Sequence, residues 1–245
     1  MEHTPFGYWI GEAGPPVATA PLEGTVEADV AVVGGGYLGL WTAWHVLERA
    51  PGARVAIVES GVGGTGPSGR NGGFVNGYWD KAPAALTRYG PQATRELLLA
   101  AQASVDAIGA WCAEQEVDAW FRPAAHLEIA TSPLQDGAWE EAVAACAAIG
   151  EPAHLRAIGP GAVASFCRSP VFRGGALIPA AATVQPARLA FGLRTRLLER
   201  GALLFERTPA RRVEDGPSPR VVTPGGEVRA GAVVLAVNHA AAGVR

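Results

Sequence analysis

Asp29-Val30-Ala31-Val32-Val33-Gly34-Gly35-Gly36-Tyr37-Leu38-Gly39, with Glu59 following twenty residues after the last glycine, is the stretch that decides how this chain reads. Residues 29–33 form a short apolar run bounded by glycine, as a buried strand does, and residues 37–49 have the length and residue types of a helix. Residues 53–58 repeat the strand pattern after the turn signal Pro51-Gly52. Strand, helix and strand together predict two parallel strands joined by a right-handed crossover. Gly34, Gly36 and Gly39 then fit G-x-G-x-x-G at the place where the pattern has a physical meaning. The first permits a tight turn, the second leaves room for a pyrophosphate against the backbone, and the third lets helix and strand pack closely. The helix N-terminus offers free N–H groups and a positive dipole end to phosphates. A carboxylate at Glu59 is placed to accept from ribose hydroxyls and to repel a 2′-phosphate, which argues against NADP.

Outward from this unit the rhythm continues. Residues 61–77 carry eight glycines, too many for a helix or strand interior, and predict a long functional loop. Within it, Ser68-Gly69-Arg70-Asn71-Gly72-Gly73 sets hydroxyl, guanidinium and amide donors on a backbone able to wrap an anionic ligand. Residues 92–115 repeat apolar positions at steps of three and four, marking a long amphipathic helix. Strands are expected at 126–130 and 174–178, with a helix over 134–149 between them. Residues 186–201 read as a helix with Pro186 at its start and Gly201 past its end, and 202–205 as the strand it feeds. Three short strands at 210–214, 220–223 and 228–230 form a meander on Asp215-Gly216 and Gly225-Gly226 turns, and a last strand follows at 232–237. Residues 1–28 read as an extended lead-in whose Tyr8, Trp9 and Ile10 can dock on a core.

Composition sets the class. With 245 residues, 49% of them hydrophobic and 18% charged, the chain has the make-up of a globular protein. A net charge of −3 offers no basic surface to a phosphate backbone, so nucleic acid is not expected as a partner. The longest apolar stretch, residues 30–46, is short for a membrane span and broken by glycines, so no membrane partner is expected. Cys112, Cys146 and Cys167 have neither disulfide nor metal spacing, and the first residues lack a signal-peptide pattern. A cytoplasmic, metal-free enzyme or enzyme fragment is the expectation.

The stretch 29–40, then Val58-Glu59, then Ser68-Gly69-Arg70-Asn71-Gly72-Gly73 resembles the D-amino-acid-oxidase-like family of FAD-dependent amine oxidoreductases, in particular its gamma-glutamylputrescine oxidase-like branch. Tyr8-Trp9 and the segment Ala182-Thr183-Val184-Gln185-Pro186-Ala187-Arg188-Leu189-Ala190 are similar to that branch as well. The resemblance implies FAD as cofactor, with Gly34, Gly36, Gly39 and Glu59 on its ADP moiety and Ser68 to Gly73 near the pyrophosphate and flavin ring. It places a backbone contact to adenine at Ala210, where the family usually has valine, and a strand end against the cofactor at Ala236, beside Val237 in place of the usual threonine. The implied reaction is oxidation of an amine or amino-acid C–N bond, with hydride passing from the carbon beside the nitrogen to the flavin, imine hydrolysis, and oxygen as the usual acceptor. No acid or base in the chain is clearly required for it.

The implied fold is an α/β Rossmann-type FAD-binding parallel sheet, ordered third, second, first, fourth strand with a β-meander crossover. Residues 1–80 and 186–245 would make this discontinuous domain, and residues 81–185 a helical segment and partial α+β substrate domain. Family chains continue well past the strand at 232–237, so a member truncated at its C-terminus is expected, with a complementing chain or self-association covering an exposed apolar surface. Lys81 is the only lysine, and nothing places it at the flavin. A second reading is a non-catalytic FAD-binding remnant. A third, an NAD-dependent dehydrogenase, is disfavoured by the SGRNGG loop and the meander. His126 and Glu128 alternate on a strand and read as a solvent face more readily than as a cavity wall, Tyr78 and Trp79 read equally as flavin wall or core, and His45 and His239 have no motif partner.

Overall fold

The apolar run ahead of the glycines is the second half of a ten-residue strand that is hydrogen-bonded along both of its edges. In the computed structural model, which describes residues 7–238, a short helix α1 (Tyr8–Ala13) precedes this strand, β1 (Gly24–Val33), and α2 (Tyr37–Arg49) and β2 (Val55–Val58) follow it. Next come β3 (Phe74–Val75), α3 (Ala82–Glu114), β4 (Arg122–Ala130), α4 (Glu140–Ala148), β5 (Arg156–Ile158), α5 (Pro160–Phe166) and β6 (Gly174–Thr183). The last elements are α6 (Pro186–Glu199), β7 (Leu203–Phe205), β8 (Arg212–Glu214), β9 (Arg220–Val222) and β10 (Gly226–Leu235). His239 lies outside the described residues.

The elements fall into two units. The first takes in the residues up to Gly72, Gln115–Ala119, and those from Gln185 on. Its six-stranded sheet runs β7-β2-β1-β10-β9-β8, the first four strands parallel and the last two antiparallel, as the resemblance implied. On one face, Leu22, Ala31, Val33, Ala56, Val58, Val221 and Val228 make a core cluster. Helix α2 packs against β1, β2 and α6, burying Leu40, Ala43, Trp44 and Leu47 at helical spacing. Helix α6 opens on Pro186, with the Gln185 side chain accepting the Arg188 N–H at 2.9 Å, and stops before Gly201, whose φ of 84° no other residue type adopts readily.

Three parts of this unit differ from expectation. The lead-in is not extended throughout, because residues 8–13 form α1. Ile10 there is fully buried against Ala187, Ala190 and Phe191, and this packing holds a helix too short to stand alone. Strand β1 begins at Gly24 rather than at residue 29. The third meander strand and the last parallel strand are one element, β10, because Gly231 continues the strand and the neighbouring β1 accepts it in register from Gly24↔Gly226 to Val33↔Leu235.

The second unit comprises Gly73–Glu114 and Trp120–Val184. Strand β6 pairs antiparallel with β3, β4 and β5, and opposite Ala124–His126 of β4 it bulges by one residue at Pro179-Ala180. Helix α3 starts ten residues before the expected amphipathic helix and kinks at Gly90, ahead of Pro91, where the proline lacks a backbone donor. The expected helix over 134–149 is shortened to α4, and β5 and α5 carry too few residues to show a period. Trp79 is fully buried, stacked on His154 with ring centroids 4.1 Å apart, and its Nε1–H donates to Gln102 at 2.8 Å. Gln102 in turn donates to the Ala180 carbonyl at 3.0 Å. Among the described residues no helix is long and apolar enough to cross a membrane.

Replacing Ile10 by Ala should cost about 2 to 5 kcal/mol in urea unfolding, through lost burial and an unfilled cavity against α6. A change within about 0.5 kcal/mol, the size of an ordinary surface substitution, would show that α1 does not dock in solution.

Candidate dinucleotide site

The site begins where β1 ends. Gly34 has φ 110°, a conformation open to glycine and strained for other residues, and its N–H donates to the Val58 carbonyl at 2.9 Å. A side chain at Gly34 would also press on the Ala236 carbonyl, so the end of β10 lies directly against this turn. The Ala236 N–H donates to the Val33 carbonyl at 2.8 Å. A Cβ at Gly39 would run into the Gly34 carbonyl oxygen and stand 3.2 Å from Val32, so the absent side chain is what allows α2 to approach β1.

Gly36 is different. A Cβ built there meets a single heavy-atom neighbour, the Ser68 hydroxyl oxygen at 3.0 Å, so the backbone is otherwise open on that side. Ser68 Oγ also accepts the Tyr37 N–H at 2.8 Å, which brings the serine of the SGRNGG element to the first turn of α2. The N–H groups at the start of that helix have no carbonyl one turn earlier to meet and favour a negative group.

Glu59, at the end of β2, accepts the Gly35 N–H on Oε2 at 2.7 Å. Its Oε1 accepts the Gly61 N–H at 2.7 Å and the Ser60 hydroxyl at 3.1 Å. A carboxylate has about four acceptor positions, so Oε2 retains one lone pair, and the exposed Ser60 hydroxyl is readily exchanged for a ligand hydroxyl. The cradle open at Gly36, the donors at the start of α2 and this carboxylate fit the pyrophosphate and ribose of an ADP group.

The other residues of the glycine-rich loop are spread out. Ser68 and Gly69 form a short 3₁₀ turn with Pro67, and Gly69 packs so closely on the Gly64 carbonyl that a Cβ would collide with it. Arg70, Asn71 and Gly72 are exposed. Arg70 Nε donates to the Gly66 carbonyl at 3.3 Å, and Asn71 Nδ2 to the Ser68 carbonyl at 2.7 Å. Gly73 belongs to the second unit, where its carbonyl accepts the Val184 N–H at 2.8 Å. Ala210, like Phe205 and Val213, packs against the sheet core, and it lies two residues beyond Thr208, whose N–H donates to the Glu59 carbonyl at 2.7 Å.

The weaker candidates divide. Trp79 is core, Tyr78 is exposed with φ 61°, and His126 lies on the same face as Glu128, its Nε2 3.9 Å from Glu128 Oε1. His45, on the outer side of α2, lies 2.8 Å from Glu48 and stacks on Trp41. Burial pushes the Cys112 and Cys146 thiols up to about 11, leaving them protonated and unreactive at neutral pH.

Sequence reasoning passed over Arg194 and Glu206. They form a buried bidentate pair, both contacts at 2.7 Å. Glu206 also accepts the Gly63 and Thr19 N–H groups, each at 2.7 Å. The available signal was a charge inside an apolar helix face, since Arg194 falls between Ala190 and Leu197 at helical spacing. Burial raises the Glu206 pKa, but the hydrogen bonds from Arg194, Gly63 and Thr19 outweigh it and hold the carboxyl below its usual 4.5.

A parallel sheet crossed by a meander, with a glycine turn opening α2 and an acid ending β2, defines a Rossmann-type dinucleotide fold. The chain belongs to the family described as FAD dependent oxidoreductase, whose pattern it matches over residues 29–245. Gamma-glutamylputrescine oxidoreductase of Escherichia coli (strain K12) is 28% identical over 238 residues, 97% of this chain and 55% of that protein. The probable oxidoreductase OrdL of Rhizobium meliloti (strain 1021) is 26% identical, over 89% of this chain and 50% of that protein. Glycine oxidase from Geobacillus kaustophilus superposes with a TM-score of 0.73 at 25% identity, covering 89% of this chain and 57% of that one. The chain thus spans about half the length of the curated relatives it matches.

A depressed Glu206 pKa means its contribution to stability is complete above 4.5 and is lost as pH falls through the lower folded value. Urea unfolding of wild type and Glu206→Gln at pH values from 7 down to 3 should show a gap that narrows only below the ordinary carboxylate range. A gap that is constant with pH would contradict the charged pair.

Proposed function

We propose that this chain is the FAD-holding part of an oxidoreductase that removes a hydride from the carbon beside the nitrogen of an amine or amino acid. The observation that carries this is the meeting of Gly35, Glu59, Ser68 and the start of α2 at one point, within a family described as FAD-dependent. Gamma-glutamylputrescine oxidoreductase and glycine oxidase, by name, act on nitrogen-bearing substrates, and they support the substrate class. The flavin, when bound, supplies the two-electron chemistry, with oxygen as its acceptor in this reading.

This chain's own residues have the task of holding the ADP half. Gly34 and Gly39 keep α2 against β1, Gly36 leaves the approach open, and Glu59 accepts from the ribose. Ser68 borders the phosphate side, Ala210 offers its backbone to the adenine, and Ala236 at the end of β10 lies against the Gly34 turn. Residues 1–80 and 186–245 serve as the cofactor domain and 81–185 as part of the substrate domain. A complementing chain or a second copy belongs to the same proposal. Supporting it are exposed Leu38 and Leu235 and an open groove of about 550 Å³ on the outer face of α2, lined by Leu38, Trp41, His45 and Val46. The unpaired cysteines suit a reducing, cytoplasmic setting. A second reading is a flavin-binding module without turnover, which the same cofactor site would serve equally.

Purified chain incubated with FAD should retain oxidised-flavin absorption bands through gel filtration. Addition of primary amines or amino acids without air should bleach them if the chain turns over, and leave them intact if it is a binding module. Gly36→Val should weaken FAD retention about tenfold or more while the ligand-free unfolding midpoint shifts little, because the added side chain fills the phosphate approach and not the core. Full retention in that variant would move the site elsewhere.

A further inference from the structure

The proposed dinucleotide site is built from loops, and these loops are tied to one another through a closed ring of hydrogen bonds. Glu206 Oε1 accepts the Gly63 N–H at 2.7 Å. The next residue, Gly64, donates its N–H to the Gly35 carbonyl at 2.8 Å, and Gly35 donates to Glu59 Oε2 at 2.7 Å. The Glu59 carbonyl accepts the Thr208 N–H at 2.7 Å, and the Thr208 hydroxyl donates back to the Glu206 carbonyl at 2.9 Å. Arg194 holds both Glu206 oxygens and donates to the Val17 carbonyl at 3.0 Å, while the Thr19 N–H donates to Glu206 Oε2.

An ion pair kept only for stability would not need this arrangement. A buried pair costs desolvation that its own attraction roughly repays, and apolar residues of similar volume often replace one without loss. Here the remaining acceptor capacity of Glu206 goes to backbone N–H groups in two irregular segments, around Thr19 and Gly63. Apolar replacements keep the packing but leave the Gly63 N–H without its acceptor, and the restraint on Gly61–Gly64 goes with it. That segment in turn holds the Glu59 carboxylate from one side, through the Gly61 N–H, and the Gly35 carbonyl from the other, through the Gly64 N–H.

We propose that Arg194 and Glu206 are positioning residues for the dinucleotide: the pair clamps Gly61–Gly64 onto the Gly34–Gly36 turn so that the Glu59 carboxylate is aimed before ligand arrives. The inference rests on the FAD reading above. It predicts that the pair acts on affinity through the fraction of chains with an ordered loop, separately from its effect on folding.

The test uses the full chain as wild type, the apolar double variant Arg194→Leu/Glu206→Met, and Glu206→Gln. Three quantities are measured: the ligand-free unfolding midpoint, the FAD Kd from quenching of flavin fluorescence, and amide exchange at Gly63 and Gly64. The double variant should fold with a midpoint lowered only by the orphaned Gly63 and Thr19 N–H groups, bind FAD about tenfold more weakly, and exchange faster at both glycines. A folded double variant with wild-type Kd, or with unchanged exchange at Gly63 and Gly64, overturns the proposal. If the double variant does not fold, Glu206→Gln decides by the same two readouts, faster exchange together with weaker FAD binding supporting the clamp and unchanged values overturning it. Wild-type chain that binds no FAD fails the functional reading and the ligand half of this inference together. The ligand-free exchange comparison still shows in that case whether the pair orders the loop.

Discussion

Everything in the first unit depends on how β1 ends. The strand is paired on both edges, so its backbone groups are satisfied only if β2 and β10 lie alongside it, and α2 can cover it only if the chain reverses within three residues. That reversal requires a positive φ at Gly34 and no side chain at Gly39. The missing side chain at Gly39 thus sets how closely the helix approaches the strand. The helix N-terminus is consequently presented at the carboxyl ends of the parallel strands, where folds of this kind leave a crevice for a ligand.

What surrounds that turn is a network in which main chain meets main chain and only a few side chains take part. Glu59 and Glu206 are the anionic members, and their roles differ. Glu59 is half-exposed and keeps acceptor capacity toward solvent, whereas Glu206 is buried and engaged on both oxygens. The arrangement separates a carboxylate able to meet a ligand from one that organises the backbone, and the contrast comes from burial rather than from residue type.

The first strand-helix-strand unit was legible in the sequence because its determinants are local: an apolar run, three spaced glycines, an apolar helix stripe and an acid follow one another within thirty-one residues. Helix α6 and β7 were legible for the same reason, through Pro186 and Gly201. The unity of β10 was not, since Gly225-Gly226 marks a turn whereas nothing near Gly231 says whether the strand stops or runs on, and only its distant register with β1 settles it. Helix α1 escaped because one docked residue, Ile10, decides it. Arg194 and Glu206 escaped because a buried pair formed between a helix and a strand end has no spacing signature, although a lone arginine in an apolar stripe is a visible anomaly. The SGRNGG element was legible as a loop, but only Ser68 of it reaches the helix start, a fact that depends on how the chain folds back at Pro67.

The fusion of meander and parallel strand into β10 also shapes how this chain acquires its structure. Gly24 and Gly226 pair although roughly two hundred residues separate them, and the whole edge of β1 facing β10 waits for a segment synthesised long after it. Loop closure over that distance must precede the contacts that reward it, which makes the central pairing of the sheet a late and slow event. Until then an apolar strand with an unsatisfied edge is presented by the nascent chain, the kind of surface that invites pairing with the wrong partner. The central pairing of the finished sheet is therefore its most vulnerable part during biosynthesis.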